Sequence, residues 1–201
     1  YHVFIYTVGY ARAVRNYFLN NSYIKSNMKI LDAGCGGGLV TQIIHTIAHT
    51  KHMQSITFDG FDLTPAMLDM FRNWIKKNNI TNISLVQANV LKPEQLPVNW
   101  NNYDLITVSG MLEHISREHI TDAIKNLKNL LAPNGTLIIF ISRKNWLTYW
   151  VITRWWKAET YSRAEIETIV RNAGLTRITF NRFAFPFNYL NSWVHIIEAK
   201  K

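Results

Sequence analysis

The chain has 201 residues, 48% of them apolar and 13% aromatic with 7 tryptophans, which is enough for one domain with a substantial core. Its 22 Lys and Arg outnumber 13 Asp and Glu, and the formal charge of +9 suits an anionic partner (nucleic acid, a membrane surface, an acidic substrate) or simply a basic soluble protein. The single cysteine excludes an internal disulfide and any multi-cysteine metal site, and no apolar run approaches the ~20 residues of a membrane span.

The chain begins at Tyr1 rather than Met, so the absence of a leader carries little weight. No repeat, linker or low-complexity tract interrupts it. The segment "YTVGYARAVRNYFLNN" reads as an amphipathic helix. "MKILDA" is the first strand, and Leu39 to about His49 its helix. "SITFDGFDL" is the second strand. Thr64 is placed to cap the next helix, with Pro65 at its first position. "ISLVQANV" and "YDLITVS" are strands three and four, and "HITDAIKNLKNLL" is the helix between strands four and five. "APNG" reads as a turn before "TLIIFIS", the fifth strand. "SRAEIETIVRNAG" is a helix with a capping box from Ser162 to Glu165 and a stop at Gly174. "TRITFNR" and "SWVHIIEAK" follow with no helix between them. Alternating strands and helices predict a parallel sheet, and the last two strands predict an antiparallel ending.

Four glycines crowd "GCGGG", Gly34 to Gly38, between a strand and a helix. Such a cluster makes a tight turn and lets a ligand lie against backbone N–H groups. Leu39 stands where the dinucleotide fingerprint needs its third glycine, so the spacing is G-x-G-x-G, and a nicotinamide-dependent dehydrogenase is disfavoured. An acid that holds ribose hydroxyls normally follows ~20 residues on. Asp59 lies 25 residues past Gly34 and Asp62 lies 28.

"ILDAGCGGG", "FDLTPAML", "ANVLKPEQLP", "YDLITVSGMLEHI", "LLAPNGTLIIF" and "YSRAEIETIVRNAGL" together resemble, in order, the motifs of class I S-adenosylmethionine-dependent methyltransferases of the small-molecule type. The resemblance covers roughly residues 28 to 180. It implies an α/β, Rossmann-like seven-stranded mostly parallel sheet with an antiparallel last strand and helices on both faces. It divides a single domain, 1–201, into an N-terminal helical cap (1–27), a cofactor-binding core (28–142), a Trp-rich lid insert (143–161) and a C-terminal helix with strands (162–201). It implies that S-adenosyl-L-methionine is held by Asp32, Gly34, Cys35, Gly36, Asp62, Leu63, Met67, Asn89, Val90 and Ser109. Asp62 would accept from both ribose hydroxyls, Leu63 and Met67 would pack on adenine, and Asn89 stands where the family usually has Asp. Val90 would offer its backbone N–H. Asp32 attracts the cationic ligand, braces the loop, or does both. Cys35 reads as a small apolar loop residue.

Methyl transfer by direct displacement needs positioning above all, and a base only when the acceptor must lose a proton. His114, six residues past Val108, is the catalytic candidate, as base or orienting donor, or else a residue that holds its loop. Glu113 is placed to cap the following helix. His45, His49 and His52 read as a solvated helix end, and no metal is expected. "RKNWLTYWVITRWWKAETYSR" carries Trp146, Tyr149, Trp150, Trp155 and Trp156 among Arg154 and Lys157. Three readings stand: a lid over an aromatic or isoprenoid acceptor, a segment in a membrane interface, or packed core. Tyr10 and Tyr17 join Trp150, Trp155 and Trp156 as substrate-contact candidates, and Arg12 and Arg15 face a carboxylate or water. The expected partner is a small-molecule or lipid-like acceptor, with nucleic acid less favoured because the turn after strand four reads "SGMLEH". RNA or protein methylation and a non-catalytic adenosyl-binding module are the alternatives. The expected location is cytoplasmic, with peripheral membrane contact through the Trp-rich segment as a second placement.

Overall fold

Near-continuous apolar strand sequences pair into one seven-stranded sheet in the computed structural model, which describes residues 9–155 and 157–201, except the side chains of Leu147 and Trp155. The strands are β1 (Lys29–Ala33), β2 (Thr57–Asp62), β3 (Ile83–Gln87), β4 (Tyr103–Ser109), β5 (Leu131–Ser142), β6 (Arg177–Asn181) and β7 (Val194–Lys200). Their order is β3-β2-β1-β4-β5-β7-β6, with β7 antiparallel to both neighbours and the other pairs parallel. From β1 the chain moves outward one way through β2 and β3, then returns to build β4 and β5 on the other side. That reversal leaves a crevice at the carboxyl ends of β1 and β4, where such sheets take ligands.

The helices are α1 (Tyr10–Asn20), α2 (Leu39–Thr50), α3 (Pro65–Lys77), α4 (Ile120–Leu130) and α5 (Arg163–Asn172). Strand periodicity decides which residues meet them. Ile30, Leu105, Ile138 and Phe140 pack with Val14 and Phe18 of α1 and Ile44 and Ile47 of α2. The intervening Leu31, Ile106, Ile139 and Ile141 pack with Ile124 and Leu127 of α4 and Ile166 and Val170 of α5. Alternation along buried strands therefore feeds two cores, one on each face of the sheet.

Local chemistry accounts for most boundaries. In α5 the Ser162 hydroxyl accepts from the Glu165 N–H at 3.2 Å, and the Glu165 carboxylate accepts from the Ser162 N–H at 2.7 Å. Chiefly the bond from the Ser162 N–H to the carboxylate holds the Glu165 carboxyl down at about 2. Gly174, at φ 85, ends the helix turn. Two expectations need correction. Thr64 makes no side-chain cap at α3; its N–H donates instead to Asp62 Oδ1 at 2.8 Å. "APNG" is no separate turn but an interruption inside β5, where the register jumps from Tyr103 opposite Leu131 to Leu105 opposite Thr136. Gly135 is required there, because a Cβ would run into the Tyr103 carbonyl.

Beyond β5, Asn145 caps a short helical turn (Trp146–Thr148), its side chain accepting from the Thr148 N–H at 3.0 Å, and a π-helical stretch (Tyr149–Trp155) follows. Trp146, Tyr149 and Trp150 are 78%, 50% and 53% exposed, so these three are not core. No helix among the described residues is long and apolar enough to cross a membrane.

Candidate active site

The glycine loop runs from β1 to α2 with Gly34, Gly36 and Gly38 at φ 68, 51 and 85. The left-handed region is costly for side chains, so the turn needs glycine at these steps. The Cys35 N–H donates to the Phe61 carbonyl at 2.9 Å, which ties the loop to β2. Asp62, at the end of β2, clamps both sides of the crossing: one carboxylate oxygen accepts from the Gly36 N–H at 2.9 Å, the other from the Thr64 N–H. Asp59 is not part of this arrangement; it lies within β2 and accepts from the Tyr103 hydroxyl at 2.8 Å.

Asp32 braces the loop and also lines the cleft. It is buried and accepts from the Thr41 hydroxyl at 2.7 Å, the Thr41 N–H at 3.2 Å and the Thr107 hydroxyl at 3.2 Å. Burial pushes its carboxyl up to about 6 despite those bonds. Thr41 and Thr107 were not singled out in the sequence. Nothing local marks them, since one is in α2 and the other in β4.

These elements enclose a cleft of about 460 Å³, within the usual ~300–1,000 Å³ range for small-molecule sites. Asp32, Gly34, Cys35 and Gly36 form its floor, and Asp62, Leu63 and Met67 one wall. Asn89, Val90 and Ser109 form the other side, and Tyr10 and His114 also line it. Leu63 is 61% exposed at this wall, an apolar surface open to a ligand. Asn89 is constrained: its side-chain oxygen accepts from the Leu91 N–H at 2.9 Å, leaving that oxygen one further lone pair. The Ser109 and Tyr10 hydroxyls are hydrogen-bonded at 2.8 Å, which fastens α1 over the cleft. Cys35 is buried against Leu68 and Phe71, and burial raises its thiol pKa, so it is inert. His114 is exposed, on the one-turn helix Leu112–His114.

The described residues lining the cleft include two aspartates and no Lys or Arg, although the chain carries +9. Such a cleft suits a cationic ligand and offers a pyrophosphate no counter-charge. A Cβ on Gly34 would lie 2.5 Å from Met111 Cβ, so the floor is bare backbone because side chains already fill the space behind it.

Two of the substrate-contact candidates, Tyr17 and Trp150, do not line the cleft. Tyr17 is buried under α1, where its hydroxyl donates to Tyr23 at 3.0 Å and accepts from Asn181 at 3.0 Å, and its ring meets Phe18 and Phe140 edge-on. Its spacing from Tyr10 is seven residues, and the sheet beneath α1 is what claims it. Trp150 is exposed and does not line the cleft. Trp156 and the Trp155 side chain lie outside the described residues.

Glu113 does not cap α4. It is buried, and its carboxylate accepts from the Ser142 N–H at 2.6 Å while its carbonyl accepts from the Glu159 N–H at 2.8 Å. It thereby joins the turn that carries His114 to the end of β5 and to the chain returning from the Trp-rich segment. Burial lifts its carboxyl from 4.5 to about 7, outweighing the bonds to Ser142. A carboxyl raised on folding contributes stability that is complete below its unfolded pKa and disappears as pH rises through the folded one. Stability should therefore decline by about 3 kcal/mol from Glu113 alone between roughly pH 4.5 and 7. Glu113→Gln keeps the acceptor and removes the titration. Chemical denaturation at pH 5 and pH 8 should show the variant close to the parent at pH 5 and more stable at pH 8; a gap independent of pH would refute the buried carboxyl.

The sequence model of the methyltransferase domain family matches residues 30–135. A ubiquinone biosynthesis O-methyltransferase of Coxiella burnetii is 26% identical over 136 residues, 68% of this chain and 53% of that protein. A ubiquinone/menaquinone biosynthesis C-methyltransferase of Shewanella baltica is 27% identical over 137 residues, 67% of this chain and 51% of that protein. The chain thus spans about half the length of these relatives. Magnesium protoporphyrin IX methyltransferase from Synechocystis PCC 6803, solved with S-adenosylmethionine bound, has a similar fold, with a TM-score of 0.68 at 16% identity over 97% of this chain and 80% of that one.

Proposed function

The chain belongs to the methyltransferase domain family, and from that premise we propose that it binds S-adenosylmethionine in the cleft and methylates a small, apolar or aromatic acceptor. The observation that carries this reading is the acidic cleft, free of Lys and Arg among its described lining residues, in a strongly basic chain. When bound, S-adenosylmethionine supplies an electrophilic methyl group. Asp62, already an acceptor for two backbone N–H groups, keeps lone pairs for ribose hydroxyls. Leu63 and Met67 provide the apolar wall for adenine. Asp32 fixes the start of α2 through Thr41, and so fixes the floor on which the methionine part rests. Tyr10, held by Ser109, covers the cleft and limits water there. His114 also lines the cleft, which supports reading it as the base or orienting donor for an acceptor hydroxyl.

The substrate class rests on the names of the two relatives, of ubiquinone and of ubiquinone/menaquinone biosynthesis. One relative is an O- and one a C-methyltransferase. Calorimetry should show binding of S-adenosylmethionine and of its demethylated product, and none of NAD. Methyl transfer to a panel of quinols, phenols and porphyrins should be detectable. With a hydroxyl acceptor, His114→Ala should lower kcat by about 100-fold and leave cofactor affinity within a few-fold. NAD binding in preference to S-adenosylmethionine would overturn the proposal.

A further inference from the structure

At the opposite corner of the same sheet edge, strand register brings basic groups together. His195 pairs with Ile141 across β5 and β7, and Asn181 with Ile196 across β6 and β7. Arg143 and Arg182, the next residues after β5 and β6, therefore leave the sheet side by side with His195 between them. An isolated parallel bridge between Arg143 and Tyr161 adds the start of α5 and its Arg163. All four residues line a small pocket of about 90 Å³.

The groups there are incompletely satisfied. His195 is 9% exposed and its Nε2 has no hydrogen-bond partner. Among the described residues none of the three guanidiniums forms a salt bridge. Arg143 donates to the Asn191 carbonyl at 3.0 Å, and Arg163 lies over the Phe180 ring at 4.4 Å. These contacts orient the two arginines without neutralising them. Three like charges around one small pocket repel, and planar guanidinium groups match an oxyanion in geometry as well as charge.

The geometry points to a second binding site, separate from the cleft, in which Arg143, Arg163, Arg182 and His195 hold a phosphate-type oxyanion. It does not rest on the methyl-transfer reading. The anion supplies the counter-charge that the arginines lack. Without it, burial and then Arg143 and Arg163 hold the His195 pKa down at about 4, while the Tyr161 carbonyl raises it. Arg182 lines the same pocket, and the Phe180 ring meets the imidazole edge-on at 5.8 Å. An oxyanion bound beside the ring favours its protonated form through its charge, so binding should raise the His195 midpoint. The phosphate has two possible sources, a free anion or a phospholipid headgroup. The second is worth an experiment because Trp146 follows Arg143 by three residues, and Phe185, 85% exposed, follows Arg182 by three.

Titrating the full chain with inorganic phosphate, followed through the His195 imidazole signals by NMR, should give a saturable change and an upward shift of the midpoint. Arg163→Gln/Arg182→Gln should weaken phosphate binding about tenfold, and both side chains are exposed, so the variant should fold. Absence of a His195 response, or a response of unchanged affinity in the double variant, overturns the site. Co-sedimentation with phosphatidylglycerol vesicles, but not phosphatidylcholine vesicles, that is competed by phosphate and reduced in the double variant would support the site with a headgroup as the source. Phosphate binding without vesicle binding would support it with a free anion.

Discussion

Asp62→Ala should weaken S-adenosylmethionine binding by about 100-fold or more while the protein remains folded. The carboxylate does two jobs at once. It holds the glycine loop to the start of α3 through Gly36 and Thr64, at 2.9 and 2.8 Å. It also lines the cleft, and in the proposed function it accepts the ribose hydroxyls. A hydrogen bond to a charged group contributes about 1.5–3 kcal/mol, and two lost to the ligand exceed the 2.7 kcal/mol that corresponds to a hundredfold change. The loop also loses its pre-organisation, which adds to the loss in affinity. Asp62→Asn isolates the two roles, because an amide oxygen still accepts from one N–H. Calorimetry should place Asn between Ala and the parent. Equal affinity in all three proteins would remove Asp62 from the site and with it the proposed orientation of the ligand.

Gly38→Ala should lower stability by about 3 kcal/mol, a fall in Tm on the order of 6–12 °C for a chain of this size. Gly38 sits at φ 85 as the residue before α2, and a Cβ there would lie 2.5 Å from Cδ2 and 2.6 Å from Cγ of Phe71. Phe71 is fully buried under the loop and has no open side to retreat to. Gly36 offers a useful contrast. Its φ is 51, and a Cβ would lie 3.2 Å from the flexible tip of Met67. Gly36→Ala should cost less stability than Gly38→Ala, but should reduce ligand affinity, since Met67 would be pushed along the cleft wall. Thermal melts with and without S-adenosylmethionine separate the two effects. Equal melting temperatures for Gly38→Ala and the parent would mean that α3 moves away from the loop at little cost.

The fold was legible in the chain because its signals are local. Buried strands carry short apolar runs, Ser162 and Glu165 sit three apart as a capping box needs, and Gly34, Gly36 and Gly38 mark the backbone that must turn left-handed. Asp62 was legible through the resemblance, because spacing alone offered Asp59, 25 residues past Gly34, as well as Asp62, 28 past it. What the chain alone left open was each side chain's partner across the sheet. Asp32 was equally suited to a ligand or to a brace, and only the fold showed Thr41 and Thr107 as the partners it braces. Tyr10 and Tyr17 lie on the same helix, yet one reaches Ser109 at the cleft and the other is buried on Phe140. Glu113 has the position of a helix cap and is instead drawn inward by the Ser142 N–H. Arg143, Arg163, Arg182 and His195 carry no common motif and meet only through the register of β5, β6 and β7. Backbone propensity and turn chemistry act over a few residues, so sequence determines where strands, helices and the bare loop occur. Hydrogen-bond partners and burial depend on pairing between distant segments, which exists only once the sheet has formed.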